Sequence, residues 1–221
     1  NAFKKYLIYA ILEIFLVMIG ILLAFQVSDW DTNHKERMDE LTTYTNIRDQ
    51  INNDRDRIEG QISFNNRFLS MFQHGTDIIE KKDFSQKDTL GKIAFNLTNY
   101  SDFDRKGNIY ETLINSGQIK LLKNHQIVLQ VKELEEHYLY INRIENIHYD
   151  GIMKHAIPGI SKTVNFSSGE IMDMDGIYSY EFQNLIYSLI YIMDEKDQSY
   201  KTALVKIDKT IELIDKELSN R

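Results

Sequence analysis

The sequence predicts an all-α protein in which an N-terminal transmembrane helix continues into an extracytoplasmic antiparallel helical bundle. Three observations carry that prediction. The stretch from Leu7 to Val27, LIYAILEIFLVMIGILLAFQV, is 21 residues long with one charge, Glu13. Beyond Trp30, apolar residues recur at three- and four-residue steps with charges between them, the period of an amphipathic helix. One proline and ten glycines in 221 residues are too few for the turns of a sandwich or barrel. Residues 1–30 are accordingly read as a signal anchor and residues 31–221 as a periplasmic bundle. At 43% apolar and 27% charged, the chain has the composition of a globular protein rather than a disordered one. It has no cysteine, which excludes disulfides, thiol catalysis and Cys-ligated metal sites. A net charge of −7 argues against a broad nucleic-acid footprint.

The first element is the span. A 21-residue helix is about 31 Å long, the hydrocarbon thickness of a bilayer. Tyr6 and Tyr9 at one end and Trp30 at the other suit the two interfaces. The apolar run exceeds the h-region of a signal peptide, and no small-x-small cleavage site follows it, so an uncleaved anchor is expected. Lys4 and Lys5 precede the span, whereas Lys35 and Arg37 follow it, so the local basic count is level. The expected orientation puts the N-terminus in the cytoplasm and the bulk of the chain outside the inner membrane.

At 100° per residue, Tyr6, Tyr9, Ala10, Glu13, Val17, Gly20, Ala24 and Val27 share one arc of roughly 100°. Ile11, Phe15, Met18, Leu22 and Phe25 lie opposite and suit lipid. Gly20 and Ala24 form a small-residue stripe that lets another helix approach. Tyr6, Glu13, Val17, Gly20 and Ala24 are therefore the expected membrane-helix contacts. An ionised Glu13 in lipid costs at least ~2.5–3.5 kcal/mol, so it should be neutral or paired. Tolerated side chain, helix-contact residue and proton- or ion-coupling group are the three readings of it.

These same residues resemble a known family. NAFKKYLIYAILEIFLVMIGILLAFQVSDW is similar to the start of an uncharacterised family of Bacteroidota membrane proteins, a domain-of-unknown-function family. The residues that carry the likeness are Lys5, Tyr6, Tyr9, Ala10, Glu13, Ile19, Gly20, Ile21, Leu22, Ala24, Gln26 and Trp30. A second similar stretch is YETLINSGQIKLLKN, with Tyr110, Leu113, Ser116, Gly117 and Leu121. Leu12 stands where the family often has glycine. The likeness is strongest over residues 1–30 and looser beyond. It implies a single-span envelope protein of a Gram-negative lineage, and it carries over no catalytic residue.

The remaining elements follow in order. Tyr44, Ile47, Ile51, Ile58, Ile62, Phe68 and Phe72 extend the helical pattern, so nearly continuous helix is expected from Lys5 to about Phe72, with a bend near Trp30–Asn33. Lys81–Asp88 is a polar break, and a short helix is expected over Thr89–Asn96, then a loop through Asp102–Asn108. Ile109–Asn115 should be a short helix stopped by Gly117 in a left-handed C-cap. Asn124 can cap the next helix, whose face is Ile127, Val131, Leu134, Tyr138 and Ile141. Pro158-Gly159 should end it. Thr163–Phe166 and Glu170–Met172 can pair as a small hairpin. A final helix over about Glu181–Leu218 should pack lengthwise on the first, with Ile51 or Ile58 near Ile207–Ile214.

Chemistry-bearing constellations are few. Glu145 and His148 share a helix face at i, i+3, but a di-iron site needs a second such pair and two more glutamates. Asp31 and His34 are the comparable pair, beside the membrane. Polar residues continuing a helix face is the default reading. The acidic run Glu133, Glu135, Glu136 reads as a solvated face, and Asp173-Met-Asp175-Gly176 fails alignment with a calcium loop. No cofactor is expected. The leading expectation is a non-catalytic, membrane-anchored accessory subunit that contacts membrane lipid and either itself, as a homo-oligomer, or a larger membrane complex. The alternatives are an ion-coupled, stator-like subunit using Glu13 and a periplasmic sensor module.

Overall fold

A computed structural model describes residues 2–103, 105 and 107–219, with side chains from residue 12 onward. Helix α1 runs from Ala2 to Glu80, 79 residues without a break, and is helical throughout Trp30–Asn33. It thus extends eight residues beyond the expected end at Phe72. Its terminus is a Schellman motif, in which Asp83 N–H donates to the Ile78 carbonyl and Lys82 N–H to the Ile79 carbonyl. Lys82 takes the left-handed position at φ 49°, where glycine is the usual occupant.

A 3₁₀ turn at Phe84–Gln86 leads to α2, Lys87–Asn96. An irregular segment then descends to α3, Ile109–Asn115, which stops at Gly117 with φ 75°. Asn124 caps α4, His125–Gly151, by accepting from the backbone N–H groups of Gln126 and Ile127. The Asn124 N–H meets the Tyr44 hydroxyl and the Lys123 N–H meets Glu40 Oε1, which fixes the start of α4 beside the lower part of α1.

The expected stop at Pro158-Gly159 is not observed. Ahead of it, α4 opens into a π-helical turn at Ile152–Ala156, and the path continues as α5, Ile157–Thr163. Pro158 stands near the start of α5, just past the π-turn bond from Ile157 N–H to the Ile152 carbonyl. The widened turn immediately before it gives the ring the room that a regular helix would deny. The expected hairpin is reduced to one antiparallel bridge, Val164 with Ile171, and no strand occurs among the described residues. Gly91 of α2 packs against this turn so closely that a Cβ would lie 2.7 Å from the Gly169 carbonyl oxygen. A four-residue helix, α6, Met174–Ile177, was not expected; Asp173 caps it. The last helix, α7, spans Tyr180–Ser219.

The result is an up-down-up-down bundle whose second member is broken. Helices α1 and α4–α5 ascend, α7 descends, and α2, the irregular segment and α3 together make the other descending path. α7 runs antiparallel to α1, as Arg48–Asp215 and Arg55–Asp208 ion pairs record. Ile51, Ile58, Ile207 and Ile214 share one buried cluster, as the stripes predicted. Along the bundle the apolar interior falls into two clusters. The lower one includes Tyr44, Ile51, Leu134, Tyr138 and Ile207; the upper one includes Phe72, Leu90, Ile160, Ile186 and Met193.

Below the bundle, the apolar part of α1 stands apart from every other element. Leu12 through Lys35 are exposed, and this helix is long and apolar enough to cross a membrane.

Candidate functional site

The two apolar clusters are separated by a layer of buried polar side chains. On α1 it is Asn65, set between Ile62 and Phe68; on α4, Glu145 and His148; on α7, Lys196, Asp197 and Tyr200. The layer lies at the level where the second path of the bundle is irregular. That coincidence has a cause. Ser101, Asp102 and Phe103 lie outside the helices, so side chains of the other helices meet their backbone groups.

Phe103 N–H donates to Glu145 Oε1 at 2.8 Å, and its carbonyl accepts from Arg57 at 2.7 Å. The Ser101 carbonyl accepts from the Lys196 ammonium, and Asp102 N–H donates to Gln61. Ile109 N–H donates to Glu135 at 2.6 Å. Around these bonds the layer closes on itself. The Tyr200 hydroxyl donates to Glu145 Oε1 at 2.6 Å, and Asn65 Nδ2 donates to both the Met193 carbonyl and Asp197.

Lys196 Nζ lies 3.1 Å from His148 Nδ1. Burial pushes the Lys196 ammonium down to about 8, and Glu145 opposes that shift. Burial, with the Lys196 charge added, pushes His148 down to about 3, so its imidazole is neutral. Nδ1 then accepts from Lys196, which leaves the proton on Nε2, an atom without a hydrogen-bond partner among the described residues. Burial also raises Glu145, against the bonds from Tyr200 and Phe103.

A second buried group lies beneath the same loop. Arg105 donates through Nε to Asp54 at 2.9 Å and through both terminal nitrogens to Glu135. Its guanidinium sits over the Tyr138 ring, 4.3 Å from the centroid. The acidic run is therefore not one solvated face: Glu135 is buried, Glu133 is half-buried beside Lys206 of α7, and Glu136 alone is exposed. Glu145 and His148 are likewise buried members of the layer and not an outer polar face. Asp31 and His34 stay exposed at the foot of the bundle. Among the described residues no group of three or more His, Asp or Glu is placed to hold a metal ion.

Outside the layer, the irregular segment leaves a cleft of about 360 Å³ lined by Tyr100, Asp102, Arg105, Asn142, Glu145, Asn146 and Tyr149. One face of α4 supplies four of these, at i, i+3, i+4 and i+7 from Asn142.

The expected membrane-contact residues are placed elsewhere. Glu13, Val17, Gly20 and Ala24 lie on one face of α1, all exposed, and a Cβ on Gly20 would meet nothing within 4 Å. The side chain of Tyr6 lies outside the described residues. Periodicity missed Asn65, Lys196, Asp54 and Arg105. The first three occupy gaps in apolar stripes (Ile62 to Phe68, Met193 to Tyr200, Ile51 to Ile58), and a polar residue at a stripe position is the signal that marks them. Arg105 lies in a loop and leaves no such mark.

Compared with known protein families, residues 13–196 match a family of unknown function, DUF6090. The chain belongs to that family. In this DUF6090 member the matched region runs from Glu13 of the apolar segment to Lys196 of the polar layer, so it takes in most of the apolar segment and most of the bundle. No curated protein and no solved structure matches the chain.

Proposed function

We propose that the chain is a non-catalytic, membrane-anchored accessory subunit that presents a stiff helical bundle to an inner-membrane assembly, with its N-terminus cytoplasmic and its bundle periplasmic. The observation that carries this reading is the unbroken α1. One helix serves as both the exposed apolar segment and a wall of the bundle core, so anchor and bundle are joined without a linker. Such a joint suits a part that must hold a fixed pose against a neighbour. The exposed tyrosines of α7, Tyr180, Tyr187 and Tyr191, supply amphipathic surface of the kind enriched at protein interfaces.

Two experiments test the reading. Native purification in mild detergent after crosslinking should return an oligomer or a constant partner; a monomer in repeated preparations would refute it. Because the chain has no cysteine, Ser188→Cys gives one thiol on the exposed side of α7. A membrane-impermeant maleimide should label it in cells whose outer membrane alone is opened. Labelling only after the inner membrane is lysed would reverse the orientation.

A further inference from the structure

The face of α1 that carries Glu13, Gly20 and Ala24 does not end with the apolar segment. Glu13, Val17, Gly20, Ala24 and Val27 follow one another at alternating steps of four and three residues, the a and d positions of a heptad repeat. Asp31, His34, Met38, Leu41 and Thr45 continue the same alternation. Because α1 is unbroken, these positions form one seam, about 48 Å long at 1.5 Å per residue. None of them is buried. The bundle uses the other side of the helix, where Glu40, Tyr44, Ile47 and Ile51 are buried. The upper part of the seam is a groove of about 390 Å³, in which Met38, Leu41 and Thr45 face Leu218 of α7. The repeat stops at its next position, Arg48, which is turned to Asp215 of α7.

A seam with this period fits another helix crossing at about 20° in a left-handed pair. Its continuation from the apolar segment into the groove calls for a helix that itself leaves the bilayer alongside α1. A second copy of this chain meets both conditions. In one membrane it has the same orientation and presents the same positions at the same heights, so the seam is self-complementary about a two-fold axis. The charged residues favour a copy over an unrelated apolar helix. Asp31 and His34 occupy adjacent a and d positions just above the apolar segment, and His34 stacks on Trp30 at that level. In a parallel pair each Asp31 stands beside His34 of the second copy, an acid against a base twice over. An apolar helix would strip both of water and return nothing. Lys35, at the flanking e position, donates to Asp31 at 2.6 Å and moderates the approach of the two acids. We propose that the chain forms a parallel homodimer through this seam, coiled from the membrane segment up to Thr45, with the two bundles on the outside. This rests on the reading of α1 as a membrane anchor and names the neighbour that the anchor meets.

The test is disulfide trapping of the full chain in its native membranes. The chain has no cysteine, so each variant carries a single thiol. Under mild oxidation Met38→Cys and Thr45→Cys, on the seam, should give disulfide-linked homodimers. Asp29→Cys and Glu36→Cys, exposed on the opposite side of the helix, should give several-fold less. In the Thr45→Cys background, His34→Asp makes the polar layer wholly acidic and should lower the trapped homodimer several-fold. Adding Asp31→His restores an acid and a base to each chain and should bring the homodimer back. Equal trapping at all four positions would overturn the proposal. So would no trapped product, seam cysteines trapped only to a different protein, or failure of the swapped pair to restore the yield. Retention of the same chains in membranes washed with alkaline carbonate separates the two readings. Retention without homodimer refutes the seam alone, whereas release by the wash removes the anchor and the proposal with it.

Discussion

Arg105 is the residue on which two buried carboxylates depend. Replacing it with alanine removes the ion-pair partner of both Asp54 and Glu135, and breaking a buried pair from one side costs about 3–5 kcal/mol. The midpoint of urea unfolding in detergent should fall accordingly; a loss below ~1 kcal/mol would show that water reaches the site. His148 sets a pH dependence of known sign. The fold keeps it neutral down to about 3, whereas the unfolded chain protonates it near 6.5. Between those values the unfolded state holds more protons, so falling pH removes stability. From pH 7 to 4.5 the wild type should lose about 2–3 kcal/mol relative to His148→Gln; parallel pH profiles for the two proteins would contradict the assignment. Glu145 and His148 stood out in the sequence as a spaced pair, yet their burial did not. Their partners Phe103, Lys196 and Tyr200 are distant in the chain, and only the folded bundle brings them to one level.

Lys82 is a lysine where the end of α1 asks for glycine. Lys82→Gly keeps the Schellman bonds and removes the Cβ conflict, so it should raise stability by about 1 kcal/mol. A lowered urea midpoint would mean that the lysine side chain makes an offsetting contact. Helices were the most legible level of the structure because their signals are local. Gly117 and Asn124 mark a stop and a start with their own backbone and side chain, and both work as read. Pro158 misled for a related reason. Its ring forbids a regular helix around it, but the π turn that accommodates it is chosen by packing, with Ile152 and Ala156 buried in the upper cluster. The single bridge at Val164 and Ile171 falls short of a hairpin because the turn is pinned on α2 at Gly91 instead of pairing further.

At the scale of the molecule, the matched stripes of α1 and α7 foretold their lengthwise packing, while the interruption of the second path left only a change in composition. The anchor face yields one more expectation. If Glu13, Gly20 and Ala24 meet a neighbouring helix, Gly20→Ile should weaken association in membranes while leaving insertion intact, since the apolar length is unchanged. Equal crosslinking of the variant and the wild type would count against that face. The unbroken first helix also has a mechanical consequence. From Val27 to Glu80 it reaches about 80 Å at 1.5 Å per residue. If its apolar segment spans a bilayer, the unbroken helix makes the bundle a pointer pivoted there. A change in tilt of about 10°, within the range that hydrophobic mismatch produces, swings its tip by about 14 Å. Whatever engages the far end around Phe84 and Tyr178 would therefore read the thickness of the membrane as a position in space.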